Sequence, residues 1–452
     1  MDKDRIEQLK ESAALPARQA PMLHRRYHGK IGVSLKCPVS RVEDFGIWYT
    51  PGVAAPCLEI AQERSKVFEY TNRANSIAVV SDGSRVLGLG DIGPEAGLPV
   101  MEGKALLFKH LGGIDAFPIM LDAHEPDEIV QAVKWIAPGF GGINLEDIAT
   151  PKCFAILDRL RAELDIPVWH DDQQGTAAVV LAGILNALKI VGKSLSSAAF
   201  CILGVGAANS ALIRFLRHVG VPPGNMILVD RVGILNPERA DLEEKKKSDP
   251  RKWQLAVETN GERRSGGPRE ALAGVDVLVA ASQPGPGTIR GEWLREMNRD
   301  AVAFLLANPT PELWPWEAEK AGMRIVATGR SDFANQVNNS IGFPGIFRGA
   351  LDVRAKTISD DMAIAGAHAI AQAAEEQGIR EDRIVPTMME TDVFVDVAVA
   401  VGQTAIQQGI ARQMLTEDQI RESAITKIQA AKEESKVLAS SGLIAPLPPH
   451  VP

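Results

Sequence analysis

Cysteine is scarce in this chain. Its four residues, Cys37, Cys57, Cys153 and Cys201, stand apart without CxxC spacing. Such scatter supports neither a disulfide framework nor a cysteine zinc site, and it points to a reduced, cytoplasmic setting. Basic tracts are lacking too. The 49 lysines and arginines are outnumbered by 57 acidic residues, giving a net charge of −8. That balance favours solubility and argues against a nucleic acid partner. Long hydrophobic runs are also missing. The most apolar stretch, Ala177 to Val191, is shorter than a bilayer span and contains Asn186 and Lys189, so it is predicted to be a buried helix and no membrane association is expected. The first residues, Met1-Asp2-Lys3-Asp4-Arg5, are charged and no apolar segment follows, so no secretory signal is expected. No internal repeat is found.

What remains is an ordinary globular composition, 45% hydrophobic and 23% charged over 452 residues. This length suits two or three domains. Residues 3 to 25 are polar and helix-prone. From about 45 to 172 strand-like runs such as Ser76 to Ser81 alternate with helical stretches, including one following Gly103. Between 173 and 345 the alternation sharpens, with strands predicted at Ala199 to Leu203, Met226 to Asp230, Val275 to Ala281, Ala301 to Ala307 and Arg324 to Ala327. Strand–helix alternation of this kind predicts an α/β chain with a doubly wound parallel sheet, although strand order cannot be read from it. The charge clusters Glu243 to Lys247 and Arg263-Arg264 read as solvated surface. After residue 360 the chain is rich in Ala, Glu and Gln and predicted helical, ending in a tail with Pro446, Pro448, Pro449 and Pro452, either extended or packed on a neighbour.

The stretch Val168-Trp169-His170-Asp171-Asp172-Gln173-Gln174-Gly175-Thr176 carries the most chemistry. Two carboxylates close an apolar run just before a helix, where oxygen ligands can hold a hard divalent cation. A second acidic pair, Glu146-Asp147, lies upstream. Taken singly, each pair could equally be a helix N-cap, and Asp91 is better explained as a turn former. His170 is taken as structural, because carboxylates already suffice for such an ion.

Downstream, Gly204-Val205-Gly206 follows a strand and opens a helix from Ala207 to His218. That order lets backbone approach a pyrophosphate at a helix N-terminus. The third small position of this fingerprint is Asn209, which could loosen packing or add a polar contact. Asp230 ends the next strand, where a carboxylate can accept from a ribose hydroxyl and would repel a 2′-phosphate. The adjacent Arg231 could instead pair with that phosphate. NAD is expected, with NADP as the alternative.

Read together, these segments resemble the malic enzymes, in particular the shorter bacterial and archaeal type. The resemblance rests on Tyr49-Thr50-Pro51-Gly52-Val53-Ala54, Ser81-Asp82-Gly83-Ser84-Arg85, Gly88 to Gly93, Gly97 to Lys104, Asn144 to Asp147, His170 to Thr176, Asn308-Pro309-Thr310 and Asn338 to Gly345. Departures are Trp48, Trp169-His170 and Asn209. The resemblance implies an N-terminal substrate and metal domain over 1–172, a Rossmann-like NAD(P)-binding domain over 173–345, and a helical C-terminal segment over 346–452. It implies oxidative decarboxylation of L-malate to pyruvate and CO₂, with oxaloacetate decarboxylation as a side activity. Carried over residue by residue, Glu146, Asp147 and Asp172 would hold Mg²⁺ or Mn²⁺. Lys104 would be the base, Tyr49 the acid, and Arg85 the clamp on a substrate carboxylate. Asn308, Asn338 and Asn339 would contact substrate, and Thr176, Gly204, Gly206, Ala207, Ala208, Asp230, Asn308 and Asn338 the dinucleotide. Asp171 is either a neighbour of the metal or a carboxylate tuning Lys104 or Tyr49. A homodimer or larger homo-oligomer, with the site completed near the subunit interface, is implied as well.

The chemistry asks for these residue types. A base must take the hydroxyl proton as hydride leaves C2, a Lewis acid must polarise the resulting ketone, and an acid must protonate the enolate carbon. A lysine base requires a depressed pKa. Competing readings are action on another β-carboxy 2-hydroxy acid, such as tartrate, and a nucleotide-sensing module that keeps the fold without catalysis. A sensor would be expected to lack one of Tyr49, Lys104, Glu146, Asp147 or Asp172, and all five are present.

Overall fold

The computed structural model of the protein describes residues 3–285 and 287–448. Two parallel sheets organise it. The first has the order β2-β1-β3-β4, with β1 Ser76–Ser81, β2 Asp115–Met120, β3 Gly142–Leu145 and β4 Val168–His170. In its register Ser76 faces Asp115, Ile77 faces Gly142 and Ile143 faces Val168. The second has the order β6-β5-β7-β8-β9, with β5 Phe200–Leu203, β6 Met226–Val229, β7 Val277–Ala280, β8 Val302–Leu305 and β9 Ile325–Thr328. Every predicted strand of this half is present; β5 to β8 are one to three residues shorter than their apolar runs, and β9 is equally long but shifted one residue along. The second sheet is doubly wound and Rossmann-like, and its order reverses between β5 and β7, where such sheets bind ligands. All strand residues of both sheets are buried except in the edge strand β2, where Ala116 is buried and the rest are half-buried.

The helix Pro94–Gly112 starts well before Gly103 and ends on Gly113, whose left-handed backbone (φ +62°) caps it. Its buried stripe holds Met101, Ala105, Phe108 and Leu111, with Lys104 on the same face. The apolar helix Thr176–Val191 sits in the core as its composition predicts. Among the described residues, the stretch 171–191 is the one helix long and apolar enough to cross a bilayer, and most of it is buried inside the protein. C-terminal helices Phe343–Asp352, Asp360–Glu376, Asp392–Gln407 and Glu417–Ser440 do not form a separate body. They share one hydrophobic core with both sheets, running from Ile77 and Trp169 through Phe200 to Phe343, Phe394 and Ile428. Each large apolar side chain buried there contributes about 1.5–3 kcal/mol, which fixes the two carboxyl-edge crevices relative to one another. The polar helix expected at 3–25 spans Lys3–Tyr27. The tail has no regular secondary structure from Ala445 to Pro448, and Tyr27 Oη donates to Ala445 O at 3.0 Å; Pro449 and Pro452 lie outside the described residues.

Candidate active site

The carboxyl ends of β1, β3 and β4 meet over the helix Pro94–Gly112, and the acidic motifs converge there. Lys104 Nζ lies 2.6 Å from Asp171 Oδ2 and 3.0 Å from Glu146 Oε1, with all three side chains buried. Asp171 also accepts from the Trp169 indole N–H at 2.9 Å. Gly175 makes this possible, because a Cβ there would fall 1.8 Å from Asp171 Oδ1. Glu146 accepts from the Asn144 amide at 2.8 Å, and Asp172 Oδ2 accepts the Asp147 backbone N–H at 2.8 Å. Neither acidic pair is a helix N-cap: the next helices after them are capped by Pro151 and His170. His170 is fully buried, with Nδ1 3.6 Å from Asp172 Oδ2.

Electrostatics here are dominated by crowded acid. Burial and the neighbouring Asp172 raise the pKa of both Glu146 and Asp147, although Lys104 opposes this. Burial alone would lower Lys104, but Asp171 and Glu146 outweigh it and hold its proton more firmly. The depressed lysine pKa expected from sequence is therefore not a property of the protein groups by themselves. The immediate neighbours of Lys104 are carboxylates.

Four carboxylates, Glu146, Asp147, Asp171 and Asp172, surround one ammonium. Asp147 Oδ2 is buried without a hydrogen-bond partner. An all-oxygen, acid-rich set with an orphaned carboxylate oxygen fits a hard divalent cation such as Mg²⁺ or Mn²⁺. Among the described residues no three such side chains already converge as a ready-made cage.

Arg85 is exposed beside this cluster. Its backbone N–H donates to Asp147 O at 2.9 Å, and its guanidinium, which has no hydrogen-bond or ion-pair partner among the described residues, opposes the raised pKa of Asp147. The loop it opens reaches the second sheet. A Cβ on Gly88 would meet Asn308 O at 2.3 Å, so the loop opened by Arg85 packs closely against the Asn308 backbone. Asn338 donates to Gly329 O at 3.3 Å and accepts the Ser340 N–H at 3.0 Å, which presents the half-buried Asn339 next to it.

The dinucleotide turn lies at the strand-order reversal. Gly204 has φ +93°, and a Cβ on it would stand 2.5 Å from Ala281 O, so only glycine lets β5 and β7 open this crevice. No side chain caps the helix Ala207–His218 at Gly206, and a Cβ there would meet nothing within 4 Å. Room and unsatisfied N–H groups at a helix N-terminus suit a pyrophosphate. Thr176, Ala207 and Ala208 occupy the first turns of the two helices that open behind the acidic cluster and this crevice. Asn209 adds a polar contact, its amide donating to Leu203 O at 3.2 Å and Gly204 O at 2.8 Å.

Asp230 differs from expectation. Its carboxylate accepts from Arg239 at 2.9 and 3.2 Å, from Lys252 at 2.6 Å, and from the Val232 and Gly233 N–H groups. Despite burial, those donors hold it well below the usual carboxylate range. Its charge is thus compensated, which removes the argument that Asp230 by itself selects NAD.

Tyr49 is the one expected residue that stands apart. It is 71% exposed, and its hydroxyl has no partner among the described residues.

Several contributors were not singled out from sequence. Phe343 places its ring 4.2 Å from Lys104 Nζ, Trp169 and Asn144 brace the acids, and Lys152 pairs with Asp82 at 2.6 Å. Buried Glu312 accepts the Ser282 and Ala307 N–H groups, tying the loops after β7 and β8 together. One signal was available for Lys104: a lysine on the apolar stripe of its helix.

Comparison with known proteins agrees with this geometry. Residues 28–161 match the malic enzyme N-terminal domain and residues 173–406 the malic enzyme NAD binding domain. The chain is 44% identical over 404 residues to a bifunctional malic/malolactic enzyme of Bacillus subtilis, covering 89% of this chain and 96% of that protein. It is 48% identical over 384 residues to an NAD-dependent malic enzyme of Geobacillus stearothermophilus, covering 85% and 78%. Among solved structures, a malic enzyme of Entamoeba histolytica superposes with a TM-score of 0.95 at 43% identity, over 99% of this chain and 93% of that one.

Proposed function

The chain belongs to the malic enzyme family, and from that premise we propose how its residues divide the work of an oxidative decarboxylation of L-malate to pyruvate and CO₂. The observation that carries the reading is the buried Lys104 ammonium between Asp171 and Glu146, at the carboxyl edge of the first sheet.

Arg85 pairs with a substrate carboxylate through its planar fork, and Asn308 and Asn339 complete the substrate's seat. Asn338 and Asn308 face the nicotinamide ribose, while Thr176, Gly204, Gly206, Ala207 and Ala208 line the path of the pyrophosphate. Glu146, Asp147 and Asp172 would hold Mg²⁺ or Mn²⁺, which when bound polarises the C2 oxygen and offsets the acid charge that keeps Lys104 protonated. Lys104 as free amine takes the C2 hydroxyl proton while the C2 hydride passes to NAD or NADP, leaving oxaloacetate. The C3–C4 bond then breaks, CO₂ departs, and its electron pair forms the enolate of pyruvate. Tyr49 gives its proton to C3. Asp171, fixed by Trp169, orients Lys104 throughout. The same site is expected to decarboxylate added oxaloacetate.

We also propose a cytoplasmic homodimer or larger homo-oligomer, a setting consistent with four free thiols. The test is incubation with L-malate and Mn²⁺, with NAD and NADP in parallel, following cofactor reduction and assaying pyruvate. Matching amounts of reduced cofactor and pyruvate are expected. Folded protein that binds dinucleotide yet forms neither product would overturn the reading.

A further inference from the structure

Arg85 and Asp147 reach the site from different strands. Arg85 follows β1, which ends at Ser81, and Asp147 follows β3, which ends at Leu145. Functional side chains on loops depend on a scaffold that holds the loops in place.

A small polar network crosses between these two. Asp82 Oδ1 accepts the Ser84 N–H at 3.0 Å and the Ser84 hydroxyl at 2.7 Å, which closes a tight turn just before Arg85. The Ser84 oxygen in turn accepts the Ala149 N–H at 2.9 Å, and the Arg85 N–H donates to Asp147 O at 2.9 Å. Lys152 completes the network from the first residue of the helix Lys152–Glu163. Its ammonium lies 2.6 Å from Asp82 Oδ2 and donates to His124 O at 3.0 Å, in the loop after β2.

Lys152 is badly placed for its own helix. A cation in the first turn faces the positive end of the helix dipole, where a carboxylate would be favoured. Its partner is a side chain only 1% exposed, so the pair is largely withheld from solvent. Asp147 is under constraint as well. Its φ of +54° is a left-handed backbone that a non-glycine residue keeps only where its surroundings fix it. Arg85 takes its carbonyl, Asp172 takes its N–H, and Ser84 takes the N–H two residues on. Among the described residues, neither Asp82 nor Lys152 has a hydrogen bond or ion pair to Lys104 or to the carboxylates around it.

We propose that Asp82 and Lys152 are positioning residues of the reaction. Paired, they lock the loop that carries the clamp Arg85 to the loop that carries the metal ligand Asp147. A substrate held by Arg85 and by the ion that Asp147 helps to hold feels any error in that span at both contacts. Small displacements of this kind are costly, because binding and chemistry both depend on the reacting groups being aligned. The proposal rests on Arg85 as clamp and Asp147 as metal ligand.

The test compares full-length Asp82→Asn, Lys152→Met, the double variant of these two, and Lys152→Arg. Each of the first two leaves one buried charge unpaired and lowers the melting temperature, whatever the pair does for catalysis. The double variant removes both charges, and most of that loss is expected to be recovered. A pair that served folding alone would recover its kinetics too. Instead, the double variant should keep a malate KM raised about tenfold. Its Mn²⁺ affinity, titrated by calorimetry without substrate, should stay several-fold weaker, while dinucleotide affinity matches the wild type. Lys152→Arg keeps the charge and is expected to hold both KM and Mn²⁺ affinity near wild type.

A double variant with wild-type KM and Mn²⁺ affinity overturns the proposal, as does a Lys152→Arg enzyme no better than Lys152→Met. A change in only one of the two affinities also defeats it, because a lock between the loops must be felt at both. Arg85→Gln is the reference for the clamp. If it leaves the malate KM unchanged, the clamp assignment fails and takes the proposal with it. A raised KM in Arg85→Gln beside an unaffected double variant sinks the positioning role alone. Dinucleotide binding confirms that each variant is folded; should a single variant fail to fold, the double variant and Lys152→Arg decide the outcome.

Discussion

Asp171 stands between Trp169 and Lys104, accepting the indole N–H at 2.9 Å on one oxygen and facing the ammonium at 2.6 Å with the other. A carboxylate gripped from both sides cannot swing, so it fixes the position of the lysine. Removing it leaves a buried cation with Glu146 as its remaining close partner. Asp171→Ala is expected to destabilise the protein by about 3 kcal/mol, within the range for breaking a buried ion pair on one side. Trp169→Phe deletes a neutral donor and part of a fully buried ring, and should cost less, about 1–2 kcal/mol. Thermal melts of the two variants check the order; equal losses would contradict it.

Lys104→Ala should lower kcat for malate oxidation by about 10²–10⁴-fold, the usual scale for a positioned base. Dinucleotide affinity, measured by fluorescence titration, should change little, since Gly204 and Gly206 lie on the other sheet. Tyr49→Phe should behave differently. Reduction of oxaloacetate by the reduced dinucleotide needs no C3 protonation and should persist, while pyruvate formation slows. Parallel loss of both steps would remove Tyr49 from the acid role.

Asp172→Ala should weaken Mn²⁺ binding, read directly by calorimetry or by the spin resonance of free Mn²⁺. The reason is charge: it removes one of the acids crowding Asp147, whose orphaned oxygen then has less company in holding a dication. Undiminished affinity would disprove its ligation. Chelation of the wild-type protein should abolish turnover, with recovery on adding Mg²⁺ or Mn²⁺.

At the second sheet, Arg239 and Lys252 compensate Asp230. Lys252→Ala should therefore penalise NADP far more than NAD, because an under-compensated carboxylate repels a 2′-phosphate. A tenfold fall in kcat/KM for NADP relative to NAD corresponds to about 1.4 kcal/mol, the scale expected of one lost charge contact. An unchanged cofactor ratio would show that Lys252 does not govern this pocket.

Asp115 opens β2 and pairs with Lys36 at 2.9 Å and Lys109 at 3.0 Å. Burial would raise its pKa, but Lys36 and Lys109 bring it down to about 2. A depressed carboxylate stabilises the folded state above its unfolded pKa of roughly 3.9, and that contribution fades as pH falls through the folded value. Wild-type Tm should consequently drop faster between pH 5 and pH 2 than that of Asp115→Asn, which has no such charge to lose. Coincident Tm profiles would refute the linkage.

Much of this was legible in one dimension. The doubly wound half announces itself because each buried parallel strand is a short apolar run and each crossover helix an amphipathic one, so strands such as Phe200–Leu203 and the helix Ala207–His218 fall where patterning places them. The acidic pairs at 146–147 and 171–172 were recognisable because strand ends are where a parallel sheet exposes polar groups. Asp230 misled for the opposite reason. Its strand-end position is a local property, whereas Arg239 and Lys252 reach it through a loop whose course no local pattern encodes.

The sequence by itself determined the secondary elements, the two crevices and the residue types available for chemistry, since these follow from periodicity, turn residues and side-chain identity within short windows. Tertiary structure alone decided which groups meet. It brought Phe343 to Lys104 across more than half the chain, set four carboxylates around one ammonium, and merged the C-terminal helices into a core common to both sheets. It also left Tyr49 exposed, with a hydroxyl that has no partner among the described residues. Distances across a fold depend on packing between segments remote in sequence, and that is information a linear pattern does not contain.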